Sequence, residues 1–547
     1  MNDYDSKKLR GGYYTPKEIS EYLANWSIRR YDDKILEPSC GDGNILEECI
    51  LRLKKLNKKK RDEQNLIGVE LDYAEAEKAK KRLSLLDDSE QRFSIINGDF
   101  FEYCAKKYFQ AKSFDVVIGN PPFIRYQNFP DKQREIAFNL MRKVGLSPSK
   151  LTNSWLAFLV CATLLLKEDG RLAMVIPAEL FQVNYAAEVR RYLSSFFKRI
   201  FIITFNKLVF SEVQQEITLL LCEKNRNALE GINVLEVDNL QDLKRLSNLE
   251  ILREDIKPID HNNDKWTQYF LSKDEILLLR DMAKHPELIM SGSAFDVDVG
   301  IVTGQNKYFV LTEKKAQKYG IESTAEKIVV RSNHLSGISF TNKDFDQNLL
   351  KDFPCLLFYP KNFNGHSKSK NIIKYIEYGE SNNVNKGYKC SMRKPWYIVP
   401  SVWTPDAFML RQVHGYSKLI VNNANALSTD TIHRARIRKG FPKNLLAVSF
   451  LNSLTFAFAE ITGRSYGGGV LTFEPSECEK LPLPMLKDIK ADFGLIDKLV
   501  RENKINEVLK INDREILQLG LGLSTFQIDS LNRIWRKLMC RRINRRK

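Results

Sequence analysis

The stretch Ile35-Leu36-Glu37-Pro38-Ser39-Cys40-Gly41-Asp42-Gly43-Asn44 decides the fold. A short apolar strand runs into a loop with two glycines, and a helical pattern follows at once. Glycine at two closely spaced positions lets the backbone turn tightly against a ligand. A dinucleotide fingerprint would place a third glycine three residues after Gly43, where Leu46 stands, so a bound pyrophosphate is not supported. The next apolar run, Leu66-Ile67-Gly68-Val69-Glu70, ends on an acidic side chain placed to hydrogen-bond ribose hydroxyls. Together the two runs point to a nucleoside without a diphosphate.

Outward from this loop the same rhythm continues. Residues 93–96, 114–118, 172–176, 200–203 and 217–221 read as strands, with helical patterns between them such as Tyr73 to Leu86 and Trp155 to Leu166. The alternation predicts an α/β domain on a doubly wound, mostly parallel sheet. Only about a dozen residues without helical spacing separate the last two strands, which are expected to form a hairpin at a sheet edge. The rhythm breaks near residue 255. The expected organisation is a catalytic domain over 1–255, a mixed α+β domain over 256–490 with basic-aromatic segments such as Arg393-Lys394-Pro395-Trp396-Tyr397, and a helical extension over 491–547 ending in a basic tail.

Asn120-Pro121-Pro122-Phe123 directly follows the strand at 114–118 and Gly119. Two consecutive prolines fix φ and remove two N–H donors, so the Asn120 side chain and the Pro121 carbonyl are held as acceptors at a strand end. Paired acceptors suit an exocyclic amine: accepting from its two N–H groups localises a lone pair otherwise delocalised into the ring. Phe123 offers a stacking face for that ring.

Composition narrows the partner. The 85 Lys and Arg outnumber the 68 Asp and Glu, a net charge of +17, which favours a polyanion. No run approaches the roughly 20 apolar residues of a membrane span. Met1-Asn2-Asp3-Tyr4-Asp5 lacks the basic-then-apolar pattern of a secretory signal, and the nine cysteines form no CxxC pair, so a cytoplasmic chain with free thiols is expected. The six histidines form no cluster at metal-ligand spacing, and no catalytic metal is expected.

Glu37 to Asn44, Glu70, Asp99-Phe100 and Asn120 to Phe123, in that order and spacing, resemble the S-adenosylmethionine-dependent amino-methyltransferases. More narrowly they resemble the gamma-class N6-adenine DNA methyltransferases of type II restriction-modification systems, in which cofactor motifs precede the catalytic motif and a target-recognition domain comes last. Tyr14-Thr15-Pro16 matches the short N-terminal cofactor motif of that class. Gly300 to Lys307, Ser428 to Arg434 and Gly463 to Gly469 look like segments that recur in its recognition halves.

The resemblance implies that Thr15 and Glu37 hold the methionine part of S-adenosylmethionine near the Pro38, Ser39, Cys40, Gly41 and Gly43 loop. Glu70 would take the ribose, Asp99 the adenine amino group, and Phe100 the adenine ring. The target base would be flipped out of the duplex and sandwiched by Phe123, which stands where tyrosine is frequent, and Phe210. The implied partners are double-stranded DNA and, functionally, a restriction endonuclease; a monomer is expected. No cysteine nucleophile is needed, and Cys40 is expected only to pack. Arg434, Arg436 and Arg438 alternate, so in a strand they would line one face, either toward the phosphates or guanine edges of DNA or simply toward solvent. N4-cytosine DNA methylation, and amino-methylation of RNA or protein, stay open on these residues.

Overall fold

The structure, a computed structural model, describes residues 14–56, 65–86, 93–108, 113–206, 216–225, 230–246, 255–261, 265–361, 363, 370–466, 468–486 and 490–544. It forms two compact units, one reaching to Ile276 and one comprising Leu277–Asn544.

The first unit is built on eight strands: β1 Ile35–Glu37, β2 Leu66–Glu70, β3 Phe93–Asn97, β4 Phe114–Gly119, β5 Leu166–Pro177, β6 Arg199–Phe205, β7 Ile217–Glu223 and β8 Gly231–Val237. Their order across the sheet is β3-β2-β1-β4-β5-β7-β6-β8, and only β7 runs antiparallel to its neighbours. Every residue of β4 is buried, as expected of an inner strand covered on both faces. The helix Ser154–Leu164 is apolar all round because it too is enclosed, with residues 154–163 all buried. The helix Tyr73–Leu86 has the bounds its spacing predicts, whereas the apolar stretch after Trp155 turns from helix to strand at Leu166.

β6 and β7 do form the expected antiparallel hairpin, but not at the edge. β7 inserts between β5 and β6, and β8 adds in parallel outside β6. This edge also explains why the first unit extends past residue 255. Lys257 pairs with Ile232 of β8 and donates its buried ammonium to the Tyr269 carbonyl at 3.0 Å.

The order reverses between β1 and β4, so the loops leaving their carboxyl ends flank the crevice where doubly wound sheets bind ligands. Both chemical motifs of the sequence leave from these two ends.

The second unit carries a five-stranded sheet, in the order 295–298, 432–437, 407–410, 419–422, 339–340, with smaller sheets around it. Its last helices are not a separate extension. Asp497 accepts from the backbone N–H of Ile338 at 2.7 Å and Ser339 at 3.0 Å, and Asp513 accepts from Ser453 N–H at 2.8 Å. The expected basic tail is helix to Asn544, and its Arg542 is buried rather than solvated. Among the described residues no single helix is long and apolar enough to cross a membrane.

Candidate active site

The loop after β1 is shaped by its glycines. Gly41 has φ +52° and Gly43 has φ +83°; a Cβ on Gly43 would meet Ala79 at 3.1 Å, while one on Gly41 would point into open space. Gly43 is thus needed for helix packing, and Gly41 leaves room beside the loop. Arg82 braces the turn by donating to the Asp42 carbonyl at 2.9 Å and to Glu47 at 2.8 Å. Cys40 is buried, and burial pushes its thiol well up, so it packs as an inert neutral group.

Glu37, at the end of β1, is 1% exposed and its Oε2 has no hydrogen-bond partner. Burial drives its carboxyl well above the ordinary range, and the nearby Glu70 and Asp42 add to the effect. A buried carboxyl with an orphaned oxygen can receive a donor or cationic group, such as the α-ammonium of an amino acid. Gly119 lies against it: a Cβ there would meet Glu37 Cγ and Pro38 Cδ at 3.5 Å. The β1 and β4 motifs therefore adjoin.

Glu70, at the end of β2, accepts from Gly41 N–H and Asp72 N–H, each at 2.8 Å, so it also fixes the glycine loop. Burial raises its carboxyl despite these bonds. Asp99 accepts from Glu102 N–H at 2.9 Å and caps the helix Phe100–Tyr108. Phe100 is 3% exposed and stacks on Phe158 with ring centroids 5.3 Å apart.

Thr15 joins the two halves of the site. Its carbonyl accepts from Asn44 Nδ2 at 2.7 Å, and its hydroxyl accepts from Asn120 Nδ2 at 3.2 Å. Thr15 thus takes the NH2 end of the amide, so Oδ1 is the end of Asn120 that can accept. Phe123 is half-buried against the core. Phe210 lies outside the described residues.

Two site residues have no sequence signal of their own. Ser154, fully buried at the start of its helix, donates its hydroxyl to the Pro122 carbonyl at 2.6 Å and accepts from Ile124 N–H at 2.9 Å. Its own N–H donates to the Ile124 carbonyl at 2.9 Å, and Asn153 Oδ1 accepts from Tyr126 N–H at 3.2 Å. These bonds clamp the chain that carries the Pro121 carbonyl. Only a hydroxyl can give and take in this way. Ser154→Ala is expected to lower kcat for the reaction at this site about tenfold, since each orphaned buried group costs about 1–3 kcal/mol of loop order. Cofactor affinity should be unchanged, and isothermal titration beside steady-state kinetics separates the two.

In the second unit the first two recurring segments come together. Ile301 N–H donates to the Ser428 carbonyl at 2.7 Å, and a Cβ on Gly300 would fall 1.9 Å from the Thr429 carbonyl oxygen, so only glycine fits. Arg464, in the third, is held by Glu477 at 2.9 Å. The three arginines do not share one free face, because Arg434 is buried and donates to the Val299 and Ser401 carbonyls. His433 is buried with Nε2 2.8 Å from the Phe473 carbonyl, a structural contact.

Comparison with known proteins agrees with this architecture. A family model described as N-6 DNA Methylase matches residues 1–289, and one described as the C-terminal domain of type II methyltransferase M.Eco57I matches residues 263–517. Type II methyltransferase M.AccI of Acinetobacter calcoaceticus is 26% identical over 520 residues, covering 92% of this chain and 89% of its own. M.XamI of Xanthomonas campestris pv. amaranthicola is 22% identical over 497 residues, covering 88% and 86%. The solved structure of the type IIL restriction-modification enzyme MmeI in complex with DNA shares the fold, with a TM-score of 0.56 at 11% identity over 96% of this chain and 75% of that one. With the switch-point crevice and a family match over more than half the chain, this protein belongs to the N-6 DNA methylase family and is an adenine-specific DNA methyltransferase of the type II restriction-modification kind.

Proposed function

We propose that the crevice between β1 and β4 transfers a methyl group from S-adenosylmethionine to N6 of an adenine flipped out of duplex DNA. The observation that carries this reading is the placement of Asn120-Pro121-Pro122-Phe123 at the end of β4, directly after Gly119, which packs on Glu37 with its orphaned carboxyl oxygen. The residues fit the cofactor: Glu37 and Thr15 would hold its amino-acid end, Glu70 its ribose and Asp99 its adenine, with Pro38, Ser39, Cys40, Gly41 and Gly43 as the cradle and Phe100 behind it. When bound, that cofactor supplies an electrophilic methyl group.

The chain's own part is to orient and to polarise. Asn120 Oδ1 and the Pro121 carbonyl accept the two N6 hydrogens, Pro122 keeps the loop rigid, and Phe123 stacks on the base. Stacking offsets part of the unpairing cost at about 1–3 kcal/mol per base. Phe210 is proposed as the second stacking face. The motif order supports the gamma class, and the reading extends to a monomer that works in the cytoplasm, with no catalytic metal, and protects DNA from a cognate restriction endonuclease.

The test is transfer of labelled methyl from S-adenosylmethionine to unmethylated duplex DNA, followed by nucleoside analysis. Label is expected in N6-methyladenine. Label in N4-methylcytosine would keep the chemistry and change the base. Cofactor binding without transfer to DNA would overturn the reading in favour of an RNA or protein amine.

A further inference from the structure

The three arginines that alternate along 432–437 and the turn beyond it have different fates. Arg434 spends its guanidinium on the carbonyls of Val299, at 3.0 Å, and Ser401, at 2.6 Å. Arg438 pairs with Asp296 at 2.6 Å. Arg436 is exposed, and its side chain makes no hydrogen bond or ion pair among the described residues. This holds even though the strand register sets Asp296 directly opposite it.

What Arg436 does instead is stack. Its guanidinium carbon lies 4.6 Å from the ring centroid of Trp403, and that of Arg434 lies 4.4 Å from the same ring. The Ser401 carbonyl is bound by Arg434, so the segment bearing Trp403 is itself anchored. Stacking on a ring restrains the guanidinium without consuming any of its five N–H donors. The result is an exposed planar fork, restrained by the ring, whose donors make no hydrogen bond among the described residues. Arg438 offsets the carboxylate of Asp296, and Arg434 lies opposite Asp298, so the neighbouring acidic groups are balanced.

A phosphate is met by positive charge alone, which a loose lysine gives as well, or by the two-pronged edge of a guanidinium. A restrained fork is suited to two parallel acceptors, and in the major groove the O6 and N7 of guanine are such a pair. On the reading of this chain as a DNA methyltransferase, we propose that Arg436, held by Trp403, reads a guanine in the recognised sequence through O6 and N7.

The experiment uses the full-length chain and a library of duplexes randomised around the methylated adenine, with methylated sites identified by sequencing. Arg436→Ala is expected to relax the requirement for one G·C pair. It should lower kcat/KM on the preferred site about 10- to 100-fold, while sites changed at that pair react as with the unaltered enzyme. Arg436→Lys keeps the charge, loses the fork and should behave like Arg436→Ala. The slope of log affinity against log salt should hold. Uniform weakening on all sequences, with a slope smaller by about one and rescue by Arg436→Lys, would make Arg436 a phosphate contact and overturn the proposal. An unchanged sequence requirement would overturn it as well. A wild-type chain that methylates no duplex would sink both this proposal and the function on which it rests.

Discussion

Asn120→Ala is expected to lower the single-turnover rate of methyl transfer about 10²- to 10³-fold, the size seen when one fixed polar group is removed from a developing charge. The exocyclic amine is a poor nucleophile because its lone pair belongs to the ring, and it improves only as its N–H bonds are drawn out by acceptors. In the proposed mechanism Asn120 supplies one acceptor and the Pro121 carbonyl the other. The amide cannot turn at will, since its Nδ2 donates to Thr15 at 3.2 Å. Asn120→Asp keeps an acceptor in place and should retain more activity than Asn120→Ala. Cofactor affinity should change little, because Thr15 is also held through its carbonyl by Asn44. Rapid-quench measurement with saturating DNA, alongside titration of S-adenosylmethionine, reads both quantities. A rate within about tenfold of wild type would remove Asn120 from the reaction centre.

The parts of this site that could be read from the sequence are those whose chemistry is local. A glycine loop behind an apolar strand, and two prolines at a strand end, state their geometry within a few residues. The sheet order then made neighbours of loops that lie some 80 residues apart, and nothing in either loop said so. The contacts that finish the site are long-range. Asn120 meets Thr15 across 105 residues, and Ser154 meets Pro122 across 32. Ser154 opens an apolar helix, where a serine reads as an ordinary start signal, so its clamp on the catalytic loop left no trace in the pattern.

The same distinction explains the misreadings. β8 follows a stretch without helical spacing, so it carried no crossover signal, yet it forms the sheet edge. Arg434 and Arg436 lie in one strand with Arg438 just beyond it, and their alternation did not say which of the three the fold would consume. Arg542 looked like part of a charged tail because its partner lies far back in the chain. Arg542 finds Glu460 82 residues away. Charge runs report composition, and burial is decided by whatever packs against them.

That pair supplies the largest expected effect on stability. Arg542 and Glu460 are both 3% exposed at their side chains, and two hydrogen bonds join them, from Nε at 3.0 Å and from Nη2 at 2.7 Å. The other edge of the guanidinium donates to the carbonyls of His414 and Gly469, so it ties the C-terminal helix to the glycine segment. Arg542→Ala leaves a carboxylate buried without its counter-charge, which costs about 3–5 kcal/mol. Burial already pushes the Glu460 carboxyl upward against the pull of Arg542. Without the arginine it rises further above its unfolded value. The folded variant then binds a proton that the unfolded chain releases, so its stability is greatest at low pH and falls as pH rises through that window. The urea midpoint of the second unit should therefore drop in Arg542→Ala, and drop more at pH 8 than at pH 5. Glu460→Gln in the same background should abolish the pH difference, because no charge remains to strand. A shift no larger than the 0–1 kcal/mol of an exposed pair would mean that water reaches Glu460. In that case the C-terminal helix would be an accessory to the second unit and not part of its core.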